Sequence, residues 1–503
     1  MRMDSMWSKV DLSAVGVGRQ SGGALINALQ AGEGLLMFLR WQAIYAMLTA
    51  AAGESGVALD SVDRRVVDVF ASVSREVAIA LRVAASTADR QAHLAVEAFE
   101  RLPQVARLMR DGVISVAAFG EIVLQTTGVE DADMIAAVDA TTAADLREFG
   151  GVSRKDASDV ARRAVAELDP DGLRARREAR GKGVTVSTDV DGADVLIATT
   201  VQDAAVIDAS IDAVADSVCA DDTRTRGIRR HDAAVALLTR SEFGCGCGNP
   251  ECTATAPASV VADRFASVVV HVVADASTLS GESEKAGWLD GFGVLDAHHV
   301  REIAARSDAA IRPLDIAGLA DRTARAGDPY RPTTACDTAV RAVFGSCSEP
   351  GCARPAWRCD LDHVCEFDHA RPEAGGATCV CNLNPKCRYH HLCKTFGEGW
   401  VDDQIVDANG VIWTEVTAPS GYSVRSRARN QWLLPDLGLV PCRHGEPVAR
   451  GTVETSTQPE RSRTRTQAKH AYRMRIRSQR RFEQACAAAA HHAAFVEDGP
   501  PPF

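Results

Sequence analysis

The sequence predicts an α+β protein: a predominantly helical N-terminal region, a mixed middle and a small cysteine-rich unit toward the C-terminus. Three observations carry this. Apolar residues recur at three- and four-residue steps as far as about residue 170, the signature of amphipathic helices. Near residue 183 the period shortens to two, as in strands. Eight of the fifteen cysteines fall in the 47 residues from Cys347 to Cys393. A chain of 503 residues suggests roughly two to four domains. The 46% hydrophobic content supports packed cores, and the 5% aromatic content favours helices packed through small side chains. The boundaries drawn are an extension at 1–23, a helical domain at 24–170, an α+β region at 171–320, a cysteine-rich unit at 321–425 and a polar, basic, partly disordered tail at 426–503.

The helical domain opens on GLLMFLRWQAIYAML (34–48). Arg40 and Gln42 interrupt it and it falls short of the ~18 apolar residues of a membrane span, so it reads as a buried or amphipathic helix. Val66, Val69, Val73, Val77 and Leu81 form one stripe. Ser86 is expected to cap a helix carrying Leu94, Ala98 and Leu102. Pro103 starts a short helix, and Gly112 and Ser115 mark a turn and cap before VAAFGEIVL. The run 86–125 is compatible with a helix-turn-helix, but it is not basic, which favours an ordinary bundle. In the middle region, VTVST (184–188), a turn at Asp191-Gly192 and DVLIATT (194–200) predict a hairpin. A helix follows with Val206, Ile207, Ile211, Val214 and Val218 on its apolar side, then a strand at SVVVHVVAD (267–275). His271 reads as a core or sheet histidine, and His298-His299 as helix surface. Past the cysteine-rich unit, WVDDQIVDANGVIWTEV (400–416) predicts a hairpin around Asn409-Gly410.

The net charge of −11 does not advertise nucleic-acid binding, but its distribution is uneven. Residues 341–400 are neutral, 401–503 carry +3, and the first 340 therefore carry −14. RSRTRTQAKHAYRMRIRSQRR (461–481) holds nine basic residues and no acid. It is either a solvated segment or a phosphate-binding arm in which Arg473, Arg475 and Arg477 contact DNA. MRMDSMWSKVDL lacks the apolar stretch of a secretory signal. A soluble, cytoplasmic protein is expected, with no membrane partner, and self-association through the helical region is possible.

Fifteen cysteines in a cytosolic chain argue for metal rather than disulfides. Cys347 and Cys352 form a loop pair of the kind that grips a metal. Cys387 and His390, three residues apart, share a helix face. Together they make a three-cysteine, one-histidine set suited to closed, structural, tetrahedral zinc. CGCGNPEC (245–252) offers Cys245, Cys247 and Cys252 to a second zinc, with no fourth ligand near in sequence; the alternative is a surface loop with free thiols. His391 follows His390 by one residue, about 100° round the helix, and so faces elsewhere.

The order Asp362-His363, Gly375-Gly376, Asn382-Leu383, Cys387-x-x-His390-His391, Lys394 resembles the HNH endonucleases. TFGEGW with its following hairpin, YRPTTACDTAVRAVFGSC and DGFGVLDAHHVREIAA resemble one branch in particular. In that branch, the 13E12-repeat type, a long helical region of unknown function precedes a C-terminal HNH unit. The resemblance implies a ββα-metal fold over roughly 347–400 and metal-dependent hydrolysis of DNA phosphodiesters. It implies that His363 is the general base, that Asp362 and His391 hold a divalent cation, and that Asn382 fixes the loop orienting His363. It places Lys394 near a phosphate, as a weaker assignment. Those types suit the chemistry. An imidazole with a pKa of about 6.5 accepts a proton near neutral pH, and a cation beside the phosphate acts as a Lewis acid. One carboxylate and one imidazole suit Mg²⁺, Mn²⁺ or a later transition metal. His369 competes with His363 for the base role. Cys365, Cys379, Cys381 and Cys393 are not required by the family pattern and read as packing or redox-sensitive thiols. The rival expectation is a non-catalytic, zinc-dependent nucleic-acid-binding protein.

Overall fold

The computed structural model describes residues 19–56, 68–188, 193–254, 256–257, 269–397 and 399–444. All belong to one compact unit spanning Met1–Gly451. Its architecture is mixed α+β, about half helical, with the helices concentrated in the N-terminal region.

That region runs α1 (Arg19–Ser55), α2 (Val69–Leu81), α3 (Ala85–Val96), α4 (Pro103–Arg110), α5 (Val116–Thr126), α6 (Ala132–Glu148), α7 (Arg154–Leu168) and α8 (Pro170–Ala179). It is a bundle, as the lack of basic character in 86–125 favoured. Helix α1 continues through Arg40 and Gln42 because both lie on its outer face. Gly22–Ser55 is long and apolar enough, by length and composition, to cross a membrane. Its inner stripe, Trp41, Ile44 and Leu48, is buried against Val73, Val77, Leu102, Met109 and Phe119. Asp68 caps α2 by accepting from the Ala71 amide at 2.7 Å, and Ser115 caps α5 by accepting from Ala118 at 3.1 Å. The cap expected at Ser86 is not there: α3 starts two residues earlier, behind Ala84, without a side-chain cap. Val66 and the Asp191-Gly192 turn lie outside the described residues.

The middle region opens on the predicted hairpin, β1 (Gly183–Thr188) against β2 (Ala193–Ala198), with Val184 opposite Ile197. Thr199 and Thr200 leave the strand, and Thr200 caps α9 (Val201–Ala215). After α10 (Arg226–Thr239) come three short strands, β3 (Val272–Val273), β4 (Gly287–Leu289) and β5 (Gly293–Leu295), paired antiparallel in that order. Helix α11 (Ala276–Ser280) joins β3 to β4, and α12 (Ala297–Ala304) follows β5. His271 stacks on Trp357, ring centroids 4.5 Å apart. His299 departs from its surface reading. It is buried, with Nε2 2.7 Å from Gln202 Oε1, because α12 packs that face against α9.

The C-terminal region holds β6 (Ala324–Arg325) against β7 (Asp328–Pro332), α13 (Thr334–Phe344), β8 (Asp360–His363), β9 (Leu383–Lys386) and α14 (Arg388–Phe396). A meander of β10 (Val401–Val406), β11 (Ile412–Thr417) and β12 (Ser423–Arg427) completes it. The fold continues past 425. Ala428, Leu433 and Leu437 are buried, and Asn430 donates its backbone N–H to Val343 O (2.9 Å) and its side-chain N–H to Ala342 O (3.0 Å). Arg429 pairs with buried Asp156 of α7, joining this region to the helical bundle.

Candidate metal centres and catalytic pocket

The segment after α13 makes a tight knuckle. Cys347 N–H donates to Arg354 O (2.8 Å), Cys352 N–H donates to Glu349 O (3.0 Å), and Gly351 takes a φ of +80° that a side chain would strain. Strands β8 and β9 pair antiparallel, Asp362 opposite Asn384 and His363 opposite Leu383. The chain then turns at Cys387 into α14. Two strands and a helix thus frame the Cys387-Arg388-Tyr389-His390-His391 stretch.

Its two histidines face two different groups. Cys347, Cys352, Cys387 and His390 converge, with all ligand atoms within 4.8 Å of one another. His390 Nδ1 lies 3.2 Å from Cys387 Sγ and 3.5 Å from Cys347 Sγ, and the Cys387 amide points at Cys347 Sγ at 3.3 Å. Contact with Cys347 and burial push the Cys352 thiol up to about 12. Three such thiols ionise together only beside a cation, which is the donor chemistry of a closed metal site.

One residue on, His391 turns to β8. Its Nε2 is 3.6 Å from Asp362 Oδ1, and its Nδ1 is 3.4 Å from Asp360 Oδ2. Ligands about 2.1 Å from one ion are at most about 4.2 Å apart, so Asp362 and His391 fit a shared cation. Asp360, two residues before Asp362 on the same strand, supplies the carboxylate that commonly orients a ligating histidine. Lys394 does not face outward. Its ammonium donates to Asp362 Oδ2 at 2.7 Å and to the His363 carbonyl.

His363 is buried beside this group. Thr378 Oγ1 gives its proton to Pro329 O (2.6 Å), so it accepts from His363 Nε2–H (2.9 Å) and leaves Nδ1 unprotonated. Burial lowers the His363 pKa to about 4; Lys394 and His369 push the same way, and Asp362 opposes them. Tyr330 stacks on the ring at 5.3 Å, and exposed His369 lies against Tyr330 and Phe367 rather than in the His363 position. Asn382 pins the intervening loop. Its Oδ1 accepts from Cys365 N–H (2.8 Å), and its Nδ2–H donates to Cys365 O (3.0 Å) and Ala377 O (2.9 Å). Gly376 is required here, since a Cβ would collide with the Cys365 carbonyl and Asn382.

The expected trio Cys245, Cys247 and Cys252 acquires a fourth thiol, Cys219, from the turn after α9. Cys219 and Cys245 sulfurs lie 3.4 Å apart. Asp222, accepting from Gly246 N–H at 2.6 Å, ties the two loops together. A third group unites Cys379, Cys381, Cys442 and His444. Sequence reasoning missed it, along with Thr378, Asp360 and Cys219. The available signal was a Cys-x-Cys and a Cys-x-His pair more than sixty residues apart. The described residues therefore hold three cysteine-rich groups that could each bind a metal ion, compatible with zinc. Arg473, Arg475 and Arg477 lie outside the described residues.

Residues 39–343 match the domain of unknown function DUF222. The chain is 32% identical to the uncharacterized protein Rv3776 of Mycobacterium tuberculosis over 434 residues, 79% of each chain. It is also 32% identical to the uncharacterized protein Rv2100 of the same organism over 417 residues, 73% of this chain and 71% of that one. No solved structure matches it. A match of that extent, together with relatives aligned over most of their length, makes this chain a member of the DUF222 family.

Proposed function

We propose that the protein is a metal-dependent HNH endonuclease that hydrolyses phosphodiester bonds in DNA. The observation that carries this reading is the division of labour at α14: His390 joins three thiols, while His391 faces Asp362 beside a buried His363 held in one tautomer. Cys347, Cys352, Cys387 and His390 would hold a structural zinc, and Cys219, Cys245, Cys247 and Cys252 a second. Asp362 and His391 would hold a divalent cation, Mg²⁺, Mn²⁺ or a later transition metal, which when bound supplies Lewis acidity at the scissile phosphate.

His363 acts as general base. Its Nδ1 takes a proton from water as the water oxygen bonds to phosphorus and the bond to the leaving sugar oxygen breaks. Thr378 holds Nε2 protonated and the ring fixed, and burial keeps the ring neutral near pH 7. Asn382 ties together the two ends of the loop between His363 and Thr378. Asp360 orients His391. DNA is the macromolecular partner in this reading.

One observation favours the non-catalytic, zinc-dependent nucleic-acid-binding reading. The Lys394 ammonium already neutralises Asp362, where a cation would bind. A plasmid-cleavage assay across a metal series, with and without EDTA, separates the two. The nuclease reading expects metal-dependent nicking or linearisation that is abolished in His363→Ala and His391→Ala. DNA binding without cleavage under any metal, unchanged in both variants, would establish the rival.

A further inference from the structure

Cys379 and Cys381 flank Val380, whose side chain packs in the core with Leu383, Leu319 and Leu437. That anchor fixes the chain on either side of it. From the opposite direction, Leu434, Leu437 and Val440 pack into or against the same core and deliver Cys442 and His444 to the two thiols. Arg443, between them, pairs with Asp321. The result is a convergence that local sequence does not dictate. His444 Nε2 lies 3.1 Å from both Cys379 Sγ and Cys381 Sγ, and all four ligand atoms fall within 4.8 Å of one another. The three cysteines are free thiols rather than disulfide partners. A tetrahedral ion with ligands at about 2.1–2.3 Å sets its donors roughly 3.5–3.8 Å apart. Three sulfurs and an imidazole in that space form a soft donor set that selects zinc-like cations over Mg²⁺ or Ca²⁺.

We propose that Cys379, Cys381, Cys442 and His444 bind a third structural zinc ion, which clamps the chain at 442–444 onto the stretch 378–382. That stretch begins at Thr378, the partner of His363, and ends at Asn382, the pin of the loop. The zinc site stands on its own ligands. Its consequence for catalysis rests on the nuclease reading, in which Thr378 and Asn382 are positioning residues and the clamp holds both.

The test uses the full-length protein and counts metal by elemental mass spectrometry. Wild type should hold three zinc equivalents, and the double variant Cys442→Ser/His444→Ala two. A variant that retains as many equivalents as wild type overturns the site. Alkylation of wild type with iodoacetamide, mapped by peptide mass spectrometry, serves if the variant does not fold. Cys442 should be protected until a chelator is added, although it is exposed. Equal labelling of Cys442 before and after chelation overturns the proposal. If wild type cleaves DNA, the folded variant should lose at least tenfold in rate with DNA affinity unchanged. If wild type does not cleave, the nuclease reading fails while the metal count and alkylation still decide the site.

Discussion

The helical bundle and the neighbourhood of α14 solve the same problem by different means. The bundle buries a continuous apolar core in which Trp41, Leu48, Leu102, Met109, Phe119, Ile122 and Leu146 are almost wholly shielded. Helix α14 fully buries none of its residues, and the strands packed on it have four residues each. Around it converge thiols, an imidazole and buried charged side chains. Lys386 is an example: it is 1% exposed, and its ammonium meets Glu349 at 3.1 Å and also pairs with Asp402. A helix with few buried apolar side chains of its own draws on paired charges and, where a metal is bound, on its ligands, so the proposed zinc predicts sensitivity to chelation here and not in the bundle. Such a helix also leaves polar side chains such as Asp362 and His391 free to converge, which an apolar core does not.

The largest effect should come from breaking the first metal set. Structural zinc sites contribute about 10–16 kcal/mol of binding energy at neutral pH. Cys352→Ser, or a strong chelator, should abolish the calorimetric transition of the C-terminal unit while the bundle keeps its far-ultraviolet helical signal. A single transition lost as a whole would show that the two regions do not differ in this way.

Within the pocket, the adjacent histidines should fail differently. His391→Ala should leave structural zinc in place and remove cleavage. His390→Ala should release zinc and lower thermal stability. His363→Ala should keep zinc and DNA binding and lose ~10²–10⁴-fold in rate, the usual scale for a general base. Because burial holds His363 near 4, its base form persists as pH falls below the ordinary 6.5. The acid limb of the rate profile should therefore lie well under pH 6. A limb centred at 6.5 would assign the titration to another group.

The converse comparison is Phe119→Ala in the bundle. A cavity at a fully buried phenylalanine costs about 3–5 kcal/mol, so the bundle transition should drop in denaturant midpoint with zinc content unchanged. The smallest effect is Ser115→Ala, which removes the α5 cap. About 1 kcal/mol should be lost in the same transition, with cleavage unaffected.

The reach of the sequence differs between these regions for a physical reason. Helices α2, α4 and α5 were legible because a 3.6-residue period and cap chemistry act within one or two turns. The set Cys347, Cys352, Cys387 and His390 was legible because each half is local: a knuckle, and two residues on one helix face. The same angular argument separated His390 from His391. Asn382 bonds the loop at Cys365.

What tertiary structure alone decided involves partners brought together by packing. Cys219 meets Cys245 because α9 and α10 pack as a pair and leave their end loops adjacent. Cys442 and His444 meet Cys379 and Cys381 because Leu434, Leu437 and Val440 dock on the C-terminal core. Lys394 turns to Asp362, His363 finds Thr378, and His299 is buried against Gln202. A side chain's type and spacing fix what it can bind. Which distant group reaches it depends on how the intervening elements bury their apolar faces, and that is settled only when the whole chain packs.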